Sequence, residues 1–162
     1  MPRPGIRASS VTAIALALAL ACGASPDPDP AAVEADRVEI AAAMQRYMVA
    51  ARAVDPEAIA AFFTVGATLF EPGISPIHTR DSIRAFMASF PGVRVDSATA
   101  TPDTIEVWGD RGLLWGSYFE VLAFPGQPVS RQHGKFVTEW VRGPEGAWRI
   151  ERFFRVPIPS PP

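Results

Sequence analysis

GKFVTEWVRGPEGAWRIERFF, residues 134–154, is the stretch on which the fold reading turns. Its first half alternates: Phe136, Thr138 and Trp140 share one face, and Lys135, Val137, Glu139 and Val141 share the other. A period of two built from aromatic and β-branched residues marks a strand with one buried face. The run "GPEG" then supplies turn residues, and "AWRIERFF" starts another strand. The phase of this last strand is open. Trp148 and Ile150 lie with Arg152 and Phe154, whereas Arg149 and Glu151 lie with Phe153 and Arg155.

Working outward, the preceding residues read as more strands, at about 93–100, 104–108, 112–123, 131–142 and 147–155. "TPD", "GDRG" and "FPGQP" are the turns between them. Of the sixteen aromatic residues, all but Tyr47 lie after residue 60, and the part before is rich in alanine. That contrast predicts helices first and strands later. Residues 31–54 form the first helix, because Ile40, Met44, Tyr47, Met48 and Ala51 make one apolar stripe. Asp55 caps a short second helix with Pro56 at its first position, burying Ile59, Phe62 and Phe63. "ATLF" and "SPIH" flank the turn "EPGI" as short extended arms. Thr79 caps a third helix with Ile83, Phe86 and Met87 inward. "VPIPSPP" is expected to leave the sheet as a loose tail. The fold class is therefore α+β, three N-terminal helices packed on one face of a mostly antiparallel sheet; a strongly curved sheet would make this a cone-shaped roll with a mouth between helices and strands.

The N-terminus carries an address. Arg3 and Arg7 precede an uncharged apolar run from Val11 to Ala21, the order of an export signal. Eleven residues fall short of the roughly 20 that a spanning helix needs. "ALAC", residues 19–22, resembles a bacterial lipobox, with Leu20 one place from the usual leucine position. Residues 1–21 then form a lipoprotein signal, and the mature chain starts at a lipidated Cys22. An ordinary cleaved signal with an incidental cysteine is the plainer alternative. Residues 22–34, rich in proline and aspartate, read as a tether, residues 35–156 as the domain and residues 157–162 as the proline-rich tail. The expected location is the cell envelope, lipid-anchored, with Gly23 favouring the outer membrane facing the periplasm.

Loss of Arg3 and Arg7 with the signal leaves 13 basic against 17 acidic residues, and no basic stripe, which argues against nucleic acid. About 120 residues support a single core. No metal or cofactor is expected: the lone cysteine, the two histidines His78 and His133, and the absence of a phosphate loop supply no such site. Both histidines read as surface residues.

Three segments, "IAAAMQRYMVAARAVDPEAIAAFFTVGATLFEPG", "IHTRDSIRAFM" and "GKFVTEWVRGPEGAWRIERFF", resemble the SnoaL-like group of the nuclear transport factor 2-like superfamily over about residues 38–155. The resemblance implies such a cone-shaped roll, three helices wrapped by a strongly curved sheet around a central pocket, often dimeric through the sheet. Ketosteroid isomerases belong to this superfamily. Aligned with them, Tyr47 falls on an oxyanion hydrogen-bond donor and Glu71 on the catalytic base. Thr138 stands where the isomerase has a protonated carboxylic acid, and Arg152 where many relatives have an acid. The pocket lining expected from alternation and this alignment is Met44, Phe63, Met87, Tyr118, Glu120, Phe136, Thr138 and Trp140. An inward Glu120 is costly without a partner.

Three functions fit these observations. The first is a membrane-anchored domain whose pocket binds a small, mostly apolar or amphipathic molecule. The second is a proton-transfer enzyme of isomerase, cyclase or dehydratase type using Tyr47 and Glu71. The third is a homodimeric interaction module without a ligand.

Overall fold

Asp29 opens the described part of the chain, residues 29–159 of a computed structural model. Its carboxylate accepts from the Ala31 N–H at 3.0 Å, and Pro30 occupies the first helical turn. This cap starts α1 (Pro30–Ala53) one residue before the expected helix of residues 31–54. The helix stops at Val54, held left-handed at φ 52°, where the N–H groups of Val54 and Asp55 return to the Ala51 and Ala50 carbonyls. Ile40, Met44, Tyr47 and Met48 are buried along one stripe, as the periodicity predicts.

Asp55 then accepts from the Ala58 N–H at 3.0 Å and begins α2 (Pro56–Ala60). Phe63 is not on that helix; it opens β1 (Phe63–Phe70). A turn leads to the two-residue β2 (Ile77–His78), and the Thr79 hydroxyl caps α3 (Arg80–Ala88) by accepting from the Ser82 N–H. Ile83 is buried from α3, while Phe86 and Met87 are half-buried.

The remaining strands are β3 (Arg94–Trp108), β4 (Arg111–Ala123), β5 (Ser130–Arg142) and β6 (Trp148–Pro157). They form one six-stranded sheet in the order β2-β1-β6-β5-β4-β3, antiparallel except where β1 runs parallel to β6. The break expected at Thr101–Asp103 is no turn. The register shifts between Pro102 and Thr104, so Asp103 is a bulge in a continuous strand. The proline is tolerated because β3 is the sheet's edge. Gly116 lies opposite, where a Cβ would stand 2.1 Å from the Thr101 carbonyl oxygen. This crowding requires glycine where the sheet bends.

A second bulge decides the phase of the last strand. Glu139 pairs with Arg152 but Trp140 pairs with Ile150, which leaves Glu151 as the extra residue. Trp148 and Ile150 are buried before the bulge, and Phe153 is buried after it. Both alternations are therefore correct, each on its own side of Glu151. Arg152 points to the outer face and pairs with Glu139, which also binds Arg111 at 2.8 Å.

The expected tail is partly strand. Val156 and Pro157 pair with Lys135 and Gly134, and the Ile158 N–H donates to the His133 carbonyl at 2.9 Å. Past Phe154 the pairing with β1 has ended, so β6 has a free side there and Pro157 breaks no ladder.

Curved and unclosed, the sheet wraps α1, which lies chiefly against β3, while α2 and α3 pack on each other and α3 on β1. Phe63, Leu114, Phe136, Trp140 and Ile150 fill the space between them and are essentially fully buried. Each such side chain contributes about 1.5–3 kcal/mol from burial. Among the described residues no helix is long and apolar enough to cross a membrane. The signal segment and Cys22 lie outside the described residues.

Candidate functional site: a cavity with a charged floor

The inward side chains of β4 change character along the strand. Leu114 is buried at the closed end, Tyr118 follows, and Glu120 and Leu122 reach an open mouth. The mouth leads to a cavity of about 670 Å³. Its walls come from Ala51 of α1 and Val54 just after it, Ile59 of α2, Phe86 and Met87 of α3, and Val95 of β3. Arg131, Gln132 and His133 of β5, with Pro157, Ile158 and Pro159 after Arg155, complete the rim. A volume in the range 300–1,000 Å³ with mostly apolar walls suits a small organic molecule.

Four polar side chains converge in this cavity: Tyr47, Glu71, Glu120 and Arg155. Each is delivered by a specific local device. Tyr47 comes from the α1 stripe. Glu71 follows β1, whose end is fixed by the pairing of Phe70 with Phe154 and by the stacking of their rings at 4.1 Å. Glu120 comes from β4, and Arg155 turns inward because of the Glu151 bulge. Arg155 is the centre of the group. Its Nη2 donates to Glu120 Oε2 at 2.6 Å and its Nη1 to Glu71 Oε1 at 3.5 Å. The guanidinium also lies 4.4 Å from the centroid of the Tyr118 ring. Tyr118 is pressed into place by Gly134, where a Cβ would come within 2.8 Å of the ring.

Burial raises the Glu71 pKa, and Glu120 adds to the rise, while Arg155 opposes it. Burial works against the charge on Arg155, but Glu71 and Glu120 outweigh it and hold the guanidinium charged. Burial keeps the Tyr47 phenol protonated far above neutral pH; Arg155 opposes this and the two glutamates reinforce it. Tyr47 is clamped edge-on by Phe62, Phe63 and Phe153 at 5.6–6.1 Å between centroids. Such a phenol is a hydrogen-bond donor with a fixed direction. Glu71 is a carboxyl whose proton is held more tightly than usual.

Beneath the floor lies a hollow of about 30 Å³, room for a water molecule, bordered by Met44, Tyr118, Phe136 and Phe153 and sharing Tyr47, Glu120 and Arg155 with the main cavity. The expected lining residues thus divide into three groups. Tyr47, Glu71, Met87 and Glu120 line the main cavity; Met44, Tyr118 and Phe136 line the inner hollow; Phe63, Thr138 and Trp140 line neither. Those last three are packed core with no measurable exposure. Thr138 is also chemically occupied. Its hydroxyl donates to the Leu114 carbonyl at 3.2 Å and accepts from Trp140 Nε1 at 2.8 Å. It cannot serve as the carboxylic acid of the isomerase arrangement. His78 is exposed beside the Thr68 hydroxyl, as expected, but His133 is half-buried at the cavity rim rather than on the open surface.

Arg155 is the cavity residue that sequence reasoning did not name. Two signals pointed to it: Glu120 needed a partner, and one alternation of the last strand put Arg155 inward with Phe153. Among the described residues no cluster of three or more His, Cys, Asp or Glu is placed to hold a metal.

An open α+β roll with a polar-floored cavity defines the class. Residues 33–153 match the SnoaL-like domain family, and the chain belongs to it. No curated protein matches the chain in sequence. Solved structures match in fold. A ketosteroid isomerase-like protein from Erwinia carotovora atroseptica superposes with a TM-score of 0.70, covering 77% of this chain and 98% of its own at 17% identity. A nuclear transport factor 2-like superfamily protein from Salmonella enterica gives 0.68 over 78% and 94% of the two chains, at 17% identity. A protein with a cystatin-like fold from Novosphingobium aromaticivorans gives 0.60 over 79% and 85%, at 20% identity.

Proposed function

We propose that this SnoaL-like domain binds a small, mostly apolar molecule in its cavity, with the polar end of the ligand against Tyr47, Glu71, Glu120 and Arg155. The observation that carries the reading is the open volume of about 670 Å³, apolar in its walls and polar at its floor. A purely structural interaction module would fill that space with its own side chains. Native mass spectrometry of gently extracted protein tests the reading directly: a bound molecule of defined mass is expected, and Ala51→Trp, which fills the cavity, removes it. Protein that is empty in both forms, and that no small apolar compound stabilises, overturns the reading.

Proton transfer is the second reading, favoured by the raised pKa of Glu71 in the same cavity as Tyr47. Glu71 would move the proton and Tyr47 would donate to the developing oxyanion. The reading requires Glu71→Gln and Tyr47→Phe to abolish turnover of a substrate that both variants still bind. The chain is further proposed to be exported and tethered through a lipidated Cys22. Cys22→Ser then releases it from the membrane fraction.

A further inference from the structure

The floor of the cavity is incompletely paired. Arg155 uses one oxygen of each neighbouring glutamate, Glu71 Oε1 and Glu120 Oε2. Among the described residues no hydrogen bond reaches Glu71 Oε2 or Glu120 Oε1. Neither oxygen is sealed from solvent as an orphan; the sealed, unpaired side-chain atoms are Arg80 Nε and Trp148 Nε1, far along the fold from this site. Two acceptor oxygens therefore face the cavity. With both glutamates ionised, the buried trio of Glu71, Glu120 and Arg155 carries a net charge of −1; the positive charge of Arg131 at the rim is exposed to solvent and screened there. The three side chains are only 16–19% exposed, so water screens that charge poorly.

Resting on the binding reading above, we propose that the cavity selects amphipathic cations: an apolar body against Phe86, Met87 and Leu122, and a primary ammonium head on the free oxygens of Glu71 and Glu120. An ammonium supplies the missing positive charge and up to three N–H donors, matching the two open acceptors and leaving one for an ordered water. A carboxylate head meets the opposite conditions, since its oxygens would face two acceptor oxygens and the Arg155 charge is already shared between two glutamates. An alcohol fits the acceptors but leaves the charge unbalanced.

Protons compete with such a ligand. When Glu71 is protonated the trio is neutral, so ammonium binding weakens as the pH falls through the Glu71 titration. The polar groups that share the cavity with Glu71 are Tyr47 from α1, Glu120 from β4, Arg131, Gln132 and His133 from β5 and Arg155 from β6, with Tyr118 behind Arg155; α3 contributes Phe86 and Met87.

The test is isothermal titration of the lipid-free mature chain with octylamine, octan-1-ol and octanoate, which share one apolar body. Octylamine is expected to bind about tenfold tighter than octan-1-ol at neutral pH, with octanoate weakest. Glu71→Gln is expected to bring octylamine to within about twofold of octan-1-ol and to remove most of the pH dependence. Glu120→Gln, which leaves Glu71 with Arg155, is expected to lower the octylamine preference as well. Octanoate binding as tightly as octylamine, or a preference for octylamine that survives both substitutions, overturns the cation selectivity and leaves the binding reading intact. Failure of all three compounds to bind overturns the binding reading and the selectivity together.

Discussion

The two ends of the roll use the same strands for opposite purposes. At the closed end, Thr138, Trp140 and Leu114 close a hydrogen-bonded chain in which every partner lies within the core. At the mouth, Glu71 and Glu120 are bound through one oxygen each and keep the other free. Alternation along β4 and β5 supplies both ends, so inward placement alone does not make a site. What separates them is whether the polar atoms are used up by the fold. A saturated group stabilises, whereas a partly paired, poorly solvated group is available to a ligand and costs stability until one arrives.

Breaking the closed end should give the largest effect. Trp140→Ala removes a fully buried side chain, and a loss of about 3–5 kcal/mol in denaturant unfolding is expected. Arg155→Met breaks the mouth instead. It leaves two carboxylates buried together, and a loss of about 3 kcal/mol is expected near neutral pH. Unlike the loss in Trp140→Ala, this one should shrink as the pH falls, because protonation removes both charges. Melting temperature against pH for the two variants separates the two ends. Thr138→Val sharpens the contrast at about 1–2 kcal/mol, since it orphans Trp140 Nε1 while leaving the affinity for a cavity ligand unchanged by titration.

Glu71→Gln should have the smallest effect on stability, and its sign depends on pH. The folded Glu71 pKa is raised, so its contribution is most favourable below the unfolded value and is lost as the pH rises through the folded one. The wild-type chain should therefore lose stability over that interval relative to Glu71→Gln. Parallel slopes in chemical denaturation across that interval would remove the raised carboxyl from the account.

The fold was largely legible because its signals are local. The stripe from Ile40 to Met48, the Asp55-Pro56 and Thr79 caps and the alternation of Phe136, Thr138 and Trp140 each report their element within a few residues. The candidate site was legible in part. Tyr47, Glu71 and Glu120 lie in the cavity, whereas Thr138 and Trp140, expected in its wall, lie in the core. Alternation gives the face of a residue; how far along the strand the cavity extends depends on where α1 lies across the sheet.

By itself the sequence determined the order of helices and strands and the α+β class, because propensity, capping and period are properties of neighbouring residues. Only the tertiary structure decided that Glu151 bulges out, that Arg155 consequently turns inward, and that Glu71, Glu120 and Tyr118 meet around it. A bulge is a compromise between two paired strands and the layer packed on them. No window of one strand contains the terms that set it.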